Sequence, residues 1–254
     1  MSADIDTDQR LRRLRWWNIV VGGVLAAQAV VIAVLATSFS LPVNATFMDG
    51  PPGTAAKLQH LFDLPLGWGV FAFLAISAAA LLSSASPGVF EWYKRNLLQD
   101  RNYGRWIEYF FSSSIMIVLI AMLTGISDIA ALLAIFGVNA AMILFGLLME
   151  KYEAPGKPNW LSFLFGCFAG VIPWVAIVVY VWAPGLTTSP PGFVYGIIAS
   201  LFVFFNCFAL NMVLQYKKIG PWRDYLFGEK VYIILSLTAK ALLAWQVFFP
   251  TLTG

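Results

Sequence analysis

Two side chains of opposite charge, Glu108 and Lys240, lie inside long apolar stretches of the sequence. An ionisable group within hydrocarbon usually faces the interior of a helix bundle, where it pairs or does chemistry. Lys240 lies too far from either end of its stretch for its ammonium group to reach the membrane surface easily. A buried lysine amine can condense with an aldehyde to form a Schiff base, and a carboxylate is then needed to balance the charge of the protonated imine. The pair therefore predicts a chromophore site, with Lys240 as the attachment point and Glu108 as the counterion.

Several polar and aromatic residues are spaced so that they can surround this pair. Ser112 and Ser113 follow Glu108 by four and five positions, and Ser236 precedes Lys240 by four, so that at least Ser112 and Ser236 share a helix face with their charged neighbours. Candidates to flank an apolar ligand are Asn139, Met142, Phe202 and Phe205 on other stretches, and Trp245 on the stretch that carries Lys240. Read singly, such residues are more often packing residues in a membrane bundle. The pair itself can also be read as a structural ion pair between two helices.

The elements that carry these residues belong in a lipid bilayer. The chain has 254 residues, of which 60% are hydrophobic and 11% charged, with a mean hydropathy of +0.77; a soluble domain carries about twice that share of charge. Seven stretches have the roughly 20 apolar residues that a span requires. They cover residues 16–38, 66–86, 106–126, 129–149, 160–182, 193–215 and 231–249. We therefore expect an all-α membrane protein, with residues 1–254 forming a single seven-helix domain.

The basic residues are distributed unevenly between the two sides of this bundle. Fourteen of the 16 lysines and arginines fall on the side of the N-terminus, whereas the opposite side holds Lys57 alone. Cytoplasmic loops carry the excess of positive charge. The count therefore predicts a multi-pass protein of the cell membrane with a cytoplasmic N-terminus and an extracellular C-terminus. Because topology accounts for the net charge of +3, no nucleic-acid partner is expected.

The sequence contains no motif that is typical of an enzyme active site. There is no cluster of His, Cys and carboxylates with metal-ligand spacing and no phosphate-binding loop. The single histidine, His60, falls in the long first external loop and cannot serve as the base of a nucleophile within the bundle. We therefore expect neither an enzyme nor a metal site.

Four segments of the chain closely resemble heliorhodopsins. They are Tyr109–Tyr152, Asn44–Thr54 (NATFMDGPPGT), Gly192–Leu210 and Tyr232–Gln246, and together they run from the first external loop through the last span. The resemblance implies a seven-helix rhodopsin, inverted relative to ordinary microbial rhodopsins, with a cytoplasmic N-terminus. The distribution of basic residues leads to the same orientation independently.

The resemblance also implies a chromophore and roles for individual residues. Lys240 matches the retinal-bearing lysine, Glu108 the counterion and Ser236 the serine beside the Schiff base. Positions near the chromophore are matched by Tyr109, Ser113, Asn139, Met142 and Trp245. The implied ligand is all-trans retinal, which isomerises to 13-cis on illumination, and the implied assembly is a homodimer in which the first external loop takes part.

In one respect the chain departs from the family pattern. Several heliorhodopsins carry histidines in the first two spans, within a polar network at the cytoplasmic end of the pocket, and this chain has none there. The destination of a proton released from the Schiff base is therefore left open.

Three functions remain to be weighed. A light-driven pump needs proton donor and acceptor groups on opposite sides of the Schiff base, whereas Leu119 and Ser236 stand where pumping rhodopsins have further carboxylates. We therefore expect a light sensor that signals by a change of conformation, through a cytoplasmic partner or the second protomer. The alternatives are a light-gated proton or ion conductance, and a seven-helix receptor or transporter without photoactivity. The aromatic and basic cytoplasmic segments 90–105 and 217–230 can dock such a partner, although anchoring at the membrane surface is the better-supported interpretation.

Overall fold

Long helices dominate the computed structural model, which describes residues 2–182 and 192–253. The elements in chain order are α1 (Ser2–Leu35), β1 (Ser40–Met48), β2 (Ala56–Pro65), α2 (Leu66–Ala85), α3 (Pro87–Leu97), α4 (Tyr103–Leu123), α5 (Ile129–Tyr152), α6 (Leu161–Val181), α7 (Gly192–Tyr216) and α8 (Tyr225–Thr253). Within the described residues, all of these helices except α3 are long and apolar enough to cross a bilayer. The prediction of a seven-helix membrane protein is confirmed.

Three of the spanning helices begin well before the predicted boundaries. α1 begins at Ser2, α4 at Tyr103 and α8 at Tyr225, whereas the sequence-based spans begin at 16, 106 and 231. The predicted boundaries stop where hydropathy falls, but arginine, lysine and glutamate are good helix formers and the helical backbone continues through them. At α4 the start is fixed by Asn102, whose side chain accepts a hydrogen bond from the Arg105 backbone N–H at 3.1 Å.

The predicted first external loop contains a two-stranded antiparallel sheet. β1 pairs with β2 along their whole length, with an irregularity between Val43 and Asn44. Asn44 attaches this hairpin to the turn between α4 and α5, because its backbone N–H and its side-chain amide donate to the Ser127 carbonyl and hydroxyl oxygens at 2.8 and 3.0 Å. We call this side of the bundle the hairpin end.

The opposite side, which we call the basic end, holds the N-terminus of α1, the short helix α3 and the turn Gly220–Arg223. Ionic contacts fasten these parts together. Lys94 donates to Asp8 at 2.8 Å, Arg10 contacts Asp224, and the Arg15 side chain donates to the Ala85 carbonyl oxygen at 2.8 Å. The lysines and arginines that the sequence places on the side of the N-terminus therefore lie around this end.

The helices pack as neighbours around the bundle, with α1 against α2, α2 against α4, α4 against α5, α5 against α6, and α8 against both α7 and α1. α4 is the most enclosed of the spanning helices and α8 is the next. Ile117, Ile120 and Ala121 of α4 are completely buried in the hydrophobic core. The two helices that carry Glu108 and Lys240 are thus the two most shielded from lipid.

Candidate functional site

Lys240 and Glu108 meet inside the bundle. The Lys240 Nζ atom lies 2.9 Å from Glu108 Oε1, and the two residues are only 3% and 6% exposed. Nζ also donates to the Ser236 hydroxyl at 2.6 Å, one turn earlier on α8. Burial of two opposite charges costs less when they are paired and hydrogen-bonded. The amine is therefore held by a carboxylate and a hydroxyl and is shielded from bulk solvent.

The serine that touches the carboxylate is Ser77 of α2, which the sequence analysis missed. Its hydroxyl oxygen lies 2.5 Å from Glu108 Oε1 and 2.8 Å from the Phe73 carbonyl oxygen. A hydroxyl has one proton, so it donates to one acceptor at a time, and an ionised carboxylate is the stronger of the two. Ser112, which shares a helix face with Glu108, is fully buried, but among the described residues its hydroxyl has no hydrogen-bond partner. In this structure α2, and not the residue four positions after Glu108 on α4, supplies the hydroxyl.

These two serines give a matched pair of variants. Ser77→Ala removes a hydrogen bond to the buried carboxylate and is expected to lower the free energy of unfolding by about 1–2 kcal/mol. Ser112→Ala removes a hydroxyl that bonds nothing and is expected to be neutral or slightly stabilising. Thermal unfolding of the retinal-free proteins in detergent measures both. An equal loss of stability in the two variants would contradict this account of the carboxylate.

A cavity of about 250 Å³ extends from Lys240 between α4, α5, α6 and α7. Its walls are mainly apolar and aromatic, with a few polar groups such as Ser113 and Asn206. Binding pockets for small ligands combine such walls with a small number of placed polar groups. The cavity thus suits a long apolar ligand whose reactive end meets an amine, which fits retinal.

Most of the predicted ligand-flanking residues are brought together here. The cavity is lined by Tyr109, Ser113, Met142, Phe202 and Phe205. Asn139 lies just behind the wall, where its amide donates to the Ser113 and Ser114 hydroxyls at 2.9 and 3.0 Å.

Trp245 does not lie in the cavity wall. It is 38% exposed on α8 and is absent from the lining. Because each helical residue turns by about 100°, a residue five positions after Lys240 points roughly 140° away from it. Trp245 therefore lies outside this cavity, and its role toward the ligand stays a prediction.

Aromatic residues that the sequence analysis did not single out complete the walls. Trp106 and Tyr232 also line the cavity, and Trp174 of α6 packs edge-on against Phe202 and Phe205, with ring centroids 5.3 and 5.5 Å apart. Trp106 precedes Tyr109 by one turn of α4, and this spacing was the available signal. Nothing in the sequence distinguishes Trp174 from the other aromatic residues of the spans.

Three further ionisable side chains are buried toward the basic end. Arg105 donates from Nη1 to Glu229 at 2.6 Å and also contacts Glu150, while Trp106 donates to Glu150 at 2.8 Å. We call Arg105, Glu150 and Glu229 the ionic cluster. The spans predicted from the sequence leave these three residues outside, whereas the helices extend past the predicted boundaries and carry them into the bundle.

Comparison with known proteins identifies the family and the fold of this chain. The family model described as Heliorhodopsin matches residues 14–252. Among solved structures, the crystal structure of a cyanorhodopsin from the cyanobacterium Tolypothrix sp. NIES-4075 aligns over 94% of this chain and 93% of its own, with a TM-score of 0.63 at 15% sequence identity. At that identity the likeness shows a shared fold. No curated protein sequence matches the chain. Since the family match spans nearly the whole sequence, the chain belongs to the heliorhodopsin family, whose members are light-sensing rhodopsins that hold retinal.

Proposed function

We propose that this protein senses light with an all-trans retinal attached to Lys240, and that Glu108 is the counterion of the resulting Schiff base. The observation that carries the proposal is the Lys240–Glu108 pair at 2.9 Å, set in the wall of an apolar cavity of about 250 Å³. When bound, retinal supplies the absorption of visible light and the isomerisation from all-trans to 13-cis.

The surrounding side chains hold and orient the reactive end. Glu108 balances positive charge at the Lys240 nitrogen, and Ser236 lies close enough to accept a hydrogen bond from it, at 2.6 Å. The Tyr109 ring packs against the same nitrogen, with its centroid 4.9 Å away. Met142 and Phe205 offer apolar surface along the ligand. Because these contacts come from four helices, α4, α5, α7 and α8, movement at the Lys240 nitrogen is transmitted to the packing of the bundle.

Light-dependent signalling fits this arrangement of residues better than ion pumping. Pumping requires proton-exchanging groups on both sides of the Schiff base. In the part of the chain that the structure describes, no carboxylate lines the larger cavity, and Leu119, three turns from Glu108 on α4, is buried among apolar residues. A light-gated conductance is the alternative to test, and photocurrents across a membrane that contains the protein discriminate between the two.

Orientation and partners complete the proposal. The basic end faces the cytoplasm, following the excess of lysine and arginine there, and the signal leaves through that face or through a second protomer. The exposed apolar residues Phe47, Leu58 and Phe62 of the hairpin supply the surface for a homodimer. A cytoplasmic partner would meet α3 and the turn Gly220–Arg223.

Gly146 and Gly170 provide a test of the cavity shape. A Cβ atom added at Gly146 would lie 2.4 Å from the Trp106 ring, whereas one at Gly170 would meet the flexible end of Met142. Gly146→Ala is expected to displace Trp106 and reduce pigment yield several-fold, while Gly170→Ala retains it. Visible absorbance per mole of purified protein measures the yield, and equal yields would contradict this placement of Trp106.

The function itself is tested by a visible absorption spectrum of the protein expressed with all-trans retinal, recorded in the dark and after illumination. A visible band that changes reversibly with light supports the proposal. A folded protein that stays colourless, or a band that light does not change, would overturn it.

A further inference from the structure

A second, smaller cavity lies on the other side of the Lys240–Glu108 pair, toward the basic end. Its volume is about 30 Å³, and Glu108, Ser236, Asn18, Arg105 and Glu229 are among the residues that line it. A water molecule requires roughly 10–15 Å³ measured in this way, together with two or more polar partners. The cavity therefore has the room and the polar lining for about two water molecules.

Buried polar atoms in the wall of this cavity lack partners. Asn18 of α1 is 0% exposed, and among the described residues neither its amide nitrogen nor its amide oxygen has a hydrogen-bond partner. Tyr93 lies alongside, but the two side chains do not meet at hydrogen-bonding geometry. Arg105 Nε is likewise unpaired. Because each dry, unpaired polar group costs about 1–3 kcal/mol, water in the cavity relieves a substantial penalty.

Two members of the ionic cluster, Arg105 and Glu229, line this cavity, and Glu150 contacts Arg105 behind them. One arginine faces two glutamates there, so the cluster carries a formal charge of −1 when all three groups are ionised. Asn102 donates to Glu229 at 2.6 Å and Tyr225 to Glu150 at 3.2 Å. A net charge is expensive within the bundle. Gain of one proton would make the cluster neutral and remove this cost.

The Lys240–Glu108 pair and the ionic cluster lie on shared helix faces. Glu229, Ser236 and Lys240 follow one another at intervals of seven and four residues, so they share one face of α8. Arg105 and Glu108 are one turn apart on α4. The Lys240 side chain leans toward the N-terminus of α8, and therefore toward Glu229. Glu229 lines the small cavity, whereas Glu150 does not.

We propose that water in the small cavity links Glu108 to Glu229, and that Glu229 is the acceptor of the proton released from the Lys240 nitrogen. This inference rests on the proposed function. The N–H bond at Lys240 breaks, its electron pair stays on nitrogen, and the proton passes to Glu108, which contacts this nitrogen at 2.9 Å and lines the cavity. Glu108 then gives a proton to the first water molecule, each water molecule accepts one proton and passes on another, and an O–H bond forms on Glu229. The nitrogen loses its positive charge, and the ionic cluster changes from −1 to neutral.

No histidine lies in the first two spans, and this path requires none. The acceptor and the counterion both lie between Lys240 and the basic end, so the proton has no exit toward the hairpin end. A sensor without net transport is consistent with this one-sided arrangement.

The test combines time-resolved infrared spectroscopy with three variants, each checked first for a visible band. In the wild type, illumination is expected to produce a protonated carboxylic acid C=O band. That band should be absent in Glu229→Gln and unchanged in Glu153→Gln, whose carboxylate lies at the same end but outside the cavity. Asn18→Leu keeps the ionic cluster, fills the water site and is expected to delay the band at least tenfold.

A second readout needs no retinal. A high-resolution structure of the retinal-free protein is expected to show about two ordered water molecules between Glu108 and Glu229, displaced in Asn18→Leu. A dry cavity, or a carboxylic acid band that persists in Glu229→Gln while the visible pigment forms normally, would overturn the inference and leave the proposed function standing. A wild type without any visible band would instead overturn the proposed function, and the inference with it.

Discussion

Lys240→Ala protein expressed with all-trans retinal is expected to have no visible absorption band, whereas the wild type is coloured. Within the described residues, the amine at the wall of the larger cavity belongs to Lys240, and a methyl group cannot form a Schiff base. The visible spectrum of the two proteins, purified identically, measures the effect. A visible band in Lys240→Ala would mean that retinal is attached elsewhere or held without a covalent bond.

Loss of colour through misfolding must be separated from loss of the attachment point, because Lys240→Ala leaves Glu108 buried without its cation. Lys240→Arg is the control for this, since it keeps a positive charge next to Glu108 but cannot form the imine. We expect Lys240→Arg to be folded by circular dichroism, monodisperse and colourless. A coloured Lys240→Arg protein would contradict the assignment as directly as a coloured alanine variant.

Glu108→Gln is expected to move the visible band to a much shorter wavelength at neutral pH, because the positive charge on the imine loses its balancing carboxylate. Removal of one partner from a buried ion pair costs about 3–5 kcal/mol, which corresponds to a hundredfold or larger change in the protonation equilibrium of the imine. Acidification should restore the visible band. A pH titration of the absorption spectrum measures the effect.

The matched control for this variant is Ser112→Ala, which changes a buried neighbour one turn away on α4 that bonds neither partner. It should retain the wild-type band position and titration. If Glu108→Gln titrates like the wild type, the counterion is another group, and the ionic cluster would be the next place to look.

The sequence was sufficient to locate the reactive pair, because charged residues are so costly in a bilayer that two of them within predicted spans demand an explanation. It also sufficed for the seven helices, whose apolar stretches have the length that a bilayer requires. The orientation from the basic residues and the dimer implied by the family resemblance stay predictions. Tyr109, Met142, Phe202 and Phe205 were correctly grouped around one cavity, although their roles toward retinal also stay predictions.

The remaining features depend on contacts between helices and on where each helix ends. Ser77 reaches Glu108 from α2, and no spacing within a single span reveals a neighbour on another helix. The ionic cluster was read as loop charge, since hydropathy falls at Arg105 and Glu229 while the helices continue. One sequence pattern could have indicated that Arg105 and Glu229 are buried, because they share helix faces with Glu108 and Lys240. Likewise, the strand pairing in the first external loop follows from register between distant residues, which composition does not encode.

The most direct test of the central claim is to map the covalent attachment. The dark-state protein, reconstituted with all-trans retinal, is reduced with borohydride to convert an imine into a stable amine, and is then digested and analysed by mass spectrometry. We predict one retinyl group per chain, located on the peptide that contains Lys240. A retinyl group on any other lysine, or none on a protein that had formed the visible pigment, would contradict the account.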